Sequence, residues 1–234
     1  GTQYTFRVTA TNSFGIGGAS GASNCVTPSA SAPSYVYSDA SGGIFTFLSH
    51  NLGANTSLDP HTPVRGLNGD YYQWGKNAPD GTIDNLIGST WGDQGGTIAN
   101  GNWTPNSKGP NDPCPAGFRV PNRTEWAAAA NNNTVSRTGV FPWTASPTNF
   151  GNALHYGYGQ GASTKLLTLP AAGYRMSAGT LAQRGYNSFY WTSQKDDSDN
   201  GRAYYMYFYQ AGDTEKDSFD GTRFNGFSVR CIAE

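Results

Sequence analysis

Alternating apolar and polar positions predict that the chain is built mainly from short strands. Near the N-terminus Tyr4, Phe6 and Val8 share one side of an extended segment and polar residues occupy the other, the pattern of a half-buried strand. A second short strand is expected at 25–27. The same criteria predict strands at 44–48, 71–74, 166–169, 189–192, 203–209 and 227–232.

One helix interrupts this pattern. Asn122 can cap its start, and Glu125, three residues later, can complete a capping box in front of the four alanines at 127–130. The asparagines at 131–133 are expected to end it.

An aromatic-rich segment follows at 186–209, with nine aromatic residues in 24 positions against about 3 expected from the chain's 14%. In the strand at 203–209, Tyr205, Tyr207 and Tyr209 share one face, and Met206 and Phe208 share the other, which we expect to face the core. Tyrosine offers a large amphipathic contact area with few rotatable bonds, which suits a binding surface. Ordinary filling of a β-sheet remains the alternative for any single tyrosine.

Composition supports a protein of strands and loops, and it argues against nucleic acid or a membrane as the partner. The 234 residues include 31 Gly, 14 Tyr, 12 Phe and 6 Trp, which predicts little helix and long ordered loops. A net charge of -1 with only 13% charged residues excludes a basic footprint for nucleic acid. No run of about 18 apolar residues occurs, so no membrane insertion is expected, and the first residues do not have the pattern of an export signal.

Several sequence blocks carry a resemblance. The segments at 70–76 (DYYQWGK), 112–126 (DPCPAGFRVPNRTEW), 169–175 (LPAAGYR), 190–193 (YWTS), 203–208 (AYYMYF) and 225–232 (NGFSVRCI) resemble the Fibrobacter succinogenes major paralogous domain. The helix block is also similar to one in formylglycine-generating enzymes. The resemblance implies an α+β, C-type-lectin-like fold for 31–234, with its first and last strands side by side. Residues 1–30 resemble the last two strands of a fibronectin type III or Ig-like domain.

The same resemblance implies a function. Domains of this kind serve as variable proteins of diversity-generating retroelements in gut bacteria and phages, where a C-terminal hypervariable segment ends before a constant block such as 225–232. We therefore expect a non-catalytic receptor or adhesin domain at a cell or virion surface, binding a protein or glycan ligand without a cofactor. Its oligomeric state is left open. The alternatives are a fixed-specificity adhesin, a carbohydrate-binding module, or an enzyme whose cleft holds two carboxylates about 5 to 10 Å apart.

The expected ligand contacts lie in the aromatic-rich segment, in two acidic loops beside it and just before the constant block. Tyr190 is expected to point outward from its strand. The acidic loops, around 196–199 and 213–220, are expected to rim the aromatic residues, although plain solvated loops are the alternative. The candidate contact residues are Tyr186, Asn187, Phe189, Tyr190, Trp191, Lys195, Asp197, Asp199, Tyr205, Tyr207, Tyr209, Asp217, Phe219, Asp220, Arg223 and Phe224.

Cysteine and histidine positions argue against a metal or redox centre. Cys25, Cys114 and Cys231 have no CxxC spacing. The resemblance implies a disulfide between Cys114 and Cys231, with two buried thiols as the alternative and Cys25 left as a free thiol. The histidines at positions 50, 61 and 155 lack local metal-site spacing, and the acidic runs at 197–201 and 213–217 lack the EF-hand glycine and terminal acid. No metal is expected, although a calcium site of another kind stays open.

Overall fold

Among the residues that the structure describes, short antiparallel strands and one α-helix make up most of the regular structure. The computed structural model describes residues 9, 11–12, 15–16, 20, 33–87, 103–157, 166–209 and 215–234, with the backbone alone at 11–12, 15–16 and 215–220. The strands are β1 (Thr11–Asn12), β2 (Gly15–Ile16), β3 (Ser34–Tyr37), β4 (Ile44–Phe47), β5 (Tyr72–Gln73), β6 (Phe118–Arg119), β7 (Thr134–Thr138), β8 (Ala153–Gly157), β9 (Leu167–Pro170), β10 (Tyr174–Arg175), β11 (Leu181–Ala182), β12 (Asn187–Lys195), β13 (Arg202–Tyr209), β14 (Glu215–Thr222), β15 (Gly226–Phe227) and β16 (Ile232–Ala233). Helix α1 spans Arg123–Asn132, and a 3-10 helix spans Arg65–Leu67.

The strands form five small sheets. Two have four strands, in the orders β3-β4-β16-β6 and β11-β10-β15-β5, and two have three, in the orders β7-β8-β9 and β12-β13-β14; β1 pairs with β2. The last strand, β16, lies between β4 and β6, so the C-terminal strand pairs with an early strand of the 33–234 region. The described part of the chain is therefore mostly β-sheet with one short helix.

Helix α1 begins where the sequence predicts. The Asn122 side chain accepts a hydrogen bond from the Glu125 backbone N–H at 2.8 Å, and the Glu125 carboxylate accepts one from the Asn122 N–H at 2.7 Å. Arg119 also pairs with the Glu125 carboxylate. At the other end the Asn133 side chain donates to the Ala129 carbonyl and exchanges two hydrogen bonds with the backbone of Tyr37 in β3. The capping box is confirmed, and the helix extends two residues past the alanines.

Two aromatic clusters form the core. The first surrounds Trp126, whose ring lies 5.2 Å from Phe47 and 5.9 Å from Tyr190 between centroids. The second contains Trp191 and Phe227, with ring centroids 4.1 Å apart. Aromatic rings supply the apolar burial that a chain with few aliphatic residues would otherwise lack.

Two buried residues just before β16, Arg230 and Cys231, connect the C-terminal segment to distant parts of the chain. Cys114 and Cys231 form a disulfide, which confirms the pairing implied by the resemblance. Next to it Arg230 is 1% exposed, and its guanidinium donates to the Asn51 side chain and, among others, to the carbonyl oxygen of Thr168. Burial lowers the pKa of Arg230 to about 10. The cation is held by neutral acceptors, which offset part of its desolvation cost.

Most predicted strands are present with shifted ends, but two predictions were wrong. The segment 227–232 is two short strands, β15 and β16, because the residues between them bond to neighbouring loops: Val229 accepts from the Leu52 N–H at 3.0 Å. The second predicted acidic loop is largely strand β14, which pairs with β13. Of the predicted strands at 4–10 and 25–27, only Thr9 is among the described residues, and it is not part of a strand.

Candidate ligand-binding face

The sheet β12-β13-β14 has one face against the helix. α1 contacts all three strands, and the side chains of Tyr190, Met206 and Phe208 on this face are fully buried in the first cluster. Burial of Met206 and Phe208 confirms the face assignment predicted from alternation.

The opposite face carries a row of half-buried aromatic side chains, Phe189, Tyr205, Tyr207 and Tyr209, here called the aromatic face. The strand register brings them together, because Phe189 of β12 pairs with Tyr207 of β13. Tyr205 and Tyr209 lie on β13 two residues before and two residues after Tyr207. Residues two apart in a strand point to the same side of a sheet. The face is therefore a consequence of the alternation and of the β12–β13 register.

Phe189 is the centre of the ring contacts. Its centroid lies 4.9 Å from Tyr207 and 5.4 Å from Tyr205 within the sheet. From the neighbouring sheet, Tyr174 lies 4.7 Å away and Phe227 5.0 Å away. Such pairs stabilise one another by about 0.5 to 1.5 kcal/mol beyond the burial of their area. The rings therefore form a preorganised surface.

Tyr207 and Tyr209 form the outer part of this surface. Their ring centroids lie 5.8 Å apart and the ring planes are inclined by only 26°, so the two rings are stacked on each other. At the other side, Gly221 of β14 faces Tyr205: a Cβ at this glycine would lie 2.9 Å from the tyrosine ring. The glycine thus allows β14 to approach the ring closely.

Polar groups border the face at both ends. Near Tyr207 the Asn187 amide donates to the Tyr207 hydroxyl at 3.3 Å and to the Gln183 side-chain oxygen. At the β12–β13 turn Lys195 and Asp197 form an exposed ion pair at 3.3 Å. Asp199 in the same turn accepts the N–H of Gly201 at 2.8 Å. The first predicted acidic loop, around 196–199, is therefore a turn whose carboxylates form contacts within the turn.

Several of the residues predicted to contact a ligand are buried. Tyr190 and Trp191 are both 0% exposed, because the helix covers one and Phe227, with the backbone of Tyr72, covers the other. The prediction that Tyr190 points outward was wrong, and Trp191 has no surface to offer a ligand. Asn187 is 2% exposed.

Tyr186, Arg223 and Phe224 lie away from the centre of the face. Tyr186 packs against the first core cluster. Arg223 is buried, with its guanidinium 5.0 Å from the Trp74 ring, and burial lowers its pKa. Phe224 is half-buried in the following turn, where its carbonyl accepts a hydrogen bond from Gln73. The side chains of Asp217, Phe219 and Asp220 lie outside the described residues.

The structure adds three residues that sequence reasoning missed. Tyr174 and Phe227 reach the face from another sheet, so no spacing along the chain could reveal them. Gln183 has a left-handed backbone, with φ of 58°, which residues other than glycine adopt infrequently. A glutamine gives no sequence signal for that conformation.

The three histidines lie in one region apart from the aromatic face. His61 and His155 both bond the Thr168 hydroxyl through Nδ1, at 3.0 and 2.8 Å. His50 bonds the Leu58 carbonyl oxygen through Nε2, and its pKa is lowered chiefly by burial and further by the nearby charges of Arg230 and His61. Across the described residues, no group of three His, Cys, Asp or Glu side chains is placed to hold a metal ion.

Three hollows lie among the described residues. Hollows of about 110 and 350 Å³ are lined by residues 48–56 and by residues around Asp39. A third, of about 200 Å³, is lined by Ser146, Pro147, Leu181 and Gln183, among others, and so adjoins the polar end of the face. In the part of the chain that the structure describes, no helix is long and apolar enough to cross a membrane.

Comparison of the chain with protein-family models, with curated proteins and with solved structures found no match.

Proposed function

We propose that this chain is a non-catalytic ligand-binding domain of a surface protein, with a C-type-lectin-like fold, and that it is the variable protein of a diversity-generating retroelement. One observation carries the proposal. A sheet covered on one side by α1 presents on its other side a connected group of half-buried aromatic rings, Phe189, Tyr205, Tyr207 and Tyr209.

The free energy of binding to such a surface should be favourable. Tyrosines already held by their neighbours lose little conformational freedom when a ligand covers them. Each ring that a ligand desolvates at the centre of an interface can contribute about 2 kcal/mol or more when measured by truncation. The small polar groups beside the rings supply directional contacts.

The difference in burial between the block 225–232 and the aromatic face supports the proposal that this is a variable protein. In the block 225–232, Phe227, Val229 and Cys231 are buried in the second cluster, so substitution there would disturb the core. Tyr207 and Tyr209 are only half-buried, on the side of β13 away from the helix, so their substitution would disturb the core less. The pairing of β16 with β4 supports a fold that brings its early and late strands together.

A fixed-specificity adhesin is the second candidate, and the ring contacts favour it. Phe189 is in contact with four other rings, so its substitution would loosen the surface itself. A surface that depends on interlocked rings suits a single ligand better than many.

Binding is tested by probing the purified protein against arrays of immobilised glycans and extracellular proteins. We expect a ligand whose capture is lost in the Tyr207→Ala/Tyr209→Ala variant and kept in Tyr35→Ala, a matched control because Tyr35 is 47% exposed on β3 of another sheet. Melting temperatures establish that the variants are folded. Capture that persists in the double variant would contradict the proposed face.

A further inference from the structure

The polar end of the aromatic face has an unusual backbone. Gln183 lies just before β12 with φ of 58° and an exposed side chain. A non-glycine residue in the left-handed region is strained, and such strain is concentrated at functional sites. Its backbone carbonyl accepts the N–H groups of Tyr186 and Asn187, which glycine would allow equally. The backbone therefore does not explain why the side chain is a glutamine.

Asn187 adds a buried polar atom without a partner. The residue is 2% exposed, and its Nδ2 donates to Gln183 and to the Tyr207 hydroxyl. Its Oδ1 is buried and has no hydrogen-bond partner among the described residues. An unpaired buried acceptor costs about 1 to 3 kcal/mol in stability. The Asn187 amide N–H groups thus hold the Gln183 side chain and the Tyr207 hydroxyl beside each other.

The polar groups offered beside the rings are an amide and a hydroxyl. Gln183 carries the amide and Tyr207 the hydroxyl, and the buried Asn187 amide bonds both. The charged Lys195 and Asp197 lie at the opposite end of β12, whereas Arg137 donates to the backbone carbonyl of Tyr209. The Tyr209 ring stacks on that of Tyr207, and the 200 Å³ hollow is lined in part by Gln183 and the buried Arg184.

We propose that this end of the face binds a neutral glycan, with a sugar ring packed against Tyr209 and adjacent hydroxyls bonded by the Gln183 amide and the Tyr207 hydroxyl. The inference rests on the proposed function, because it assigns a ligand class to the same face. A sugar has an apolar C–H surface and paired hydroxyl donors and acceptors, which match an uncharged amide and a hydroxyl beside an aromatic ring. A wholly apolar ligand would leave the amide and the hydroxyl unpaired.

The test is an array of neutral oligosaccharides of hexoses and N-acetylhexosamines, followed by titration of the best one. Gln183→Gly should weaken binding about tenfold, the scale of one neutral hydrogen bond. It should leave the melting temperature unchanged or higher, because glycine adopts positive φ without strain. Tyr207→Phe keeps the ring and should have a similar effect, and Tyr209→Ala should reduce binding further. Asn131→Ala, exposed on α1 behind the sheet, should change nothing.

The outcomes separate the two proposals. Glycan binding with this pattern of losses supports the inference. Glycan binding that ignores Gln183→Gly and Tyr209→Ala overturns it. If only proteins from the extracellular array bind, and Tyr209→Ala abolishes that binding, the face is a ligand site but its ligand is not a glycan. If neither array yields a ligand, both proposals fail.

Discussion

Removal of the disulfide should cost about a third or more of the domain's free energy of unfolding. Cys114 and Cys231 are separated by 117 residues, and the bond joins the segment before β6 to the residue before β16. In the chain-entropy account, closing a loop of this length disfavours the unfolded state by about 5 kcal/mol. Domains are stable by about 5 to 15 kcal/mol in total. The double variant Cys114→Ala/Cys231→Ala should therefore be much less stable than the unaltered protein.

Urea unfolding measures this effect. With an unfolding slope of about 2 kcal/mol per molar urea, the midpoint should fall by about 2.5 M. Unfolding the unaltered protein with a reductant present should give a similar shift. Cys25→Ala is the control for thiol exchange and should keep the midpoint. A shift below about 0.5 M in the double variant would refute the idea that this bond constrains the unfolded chain.

Three further predictions concern the frame and the face. Asn122→Ala removes half of the capping box and should cost about 1 kcal/mol, seen as a melting temperature a few degrees lower; an unchanged value would contradict the role of the cap. Burial raises the pKa of Asp70 from 3.8 to about 6, so between these values the native state binds more protons than the unfolded state and stability falls as pH rises. Asp70→Asn should remove that dependence, so its melting-temperature advantage should grow from pH 4 to pH 7, and a constant difference would contradict the burial. Gly221→Ala places a methyl group against the Tyr205 ring and should destabilise by about 1 to 3 kcal/mol, measured by urea unfolding, whereas a neutral effect would mean that the ring moves freely.

Patterns within short stretches of the sequence predicted the helix start and the buried side of β13 correctly. The capping box at Asn122 and Glu125 depends on residues three apart, so the sequence contains all of it. The inward direction of Met206 and Phe208 follows from strand alternation alone. The disulfide could be expected only through the resemblance, because cysteine spacing gives no pairing.

Nonlocal packing explains the remaining errors. Alternation requires Tyr190 and Trp191 to point to opposite faces, which led to the expectation that one of them is exposed. Both are buried because Phe227, brought from β15, covers the second face at that point. Contacts between strands far apart in sequence also placed Tyr174 beside Phe189. No pattern within one segment could reveal either contact.

If the aromatic face carries the ligand contacts of a variable protein, sequencing the same locus from many related isolates should show it directly. We predict substitutions concentrated at Tyr205, Tyr207 and Tyr209, with Phe227 to Ile232 unchanged and a template copy nearby that directs changes at adenines. If the positions of the face vary no more than the buried frame, the variable-protein account is contradicted and a fixed-specificity adhesin takes its place.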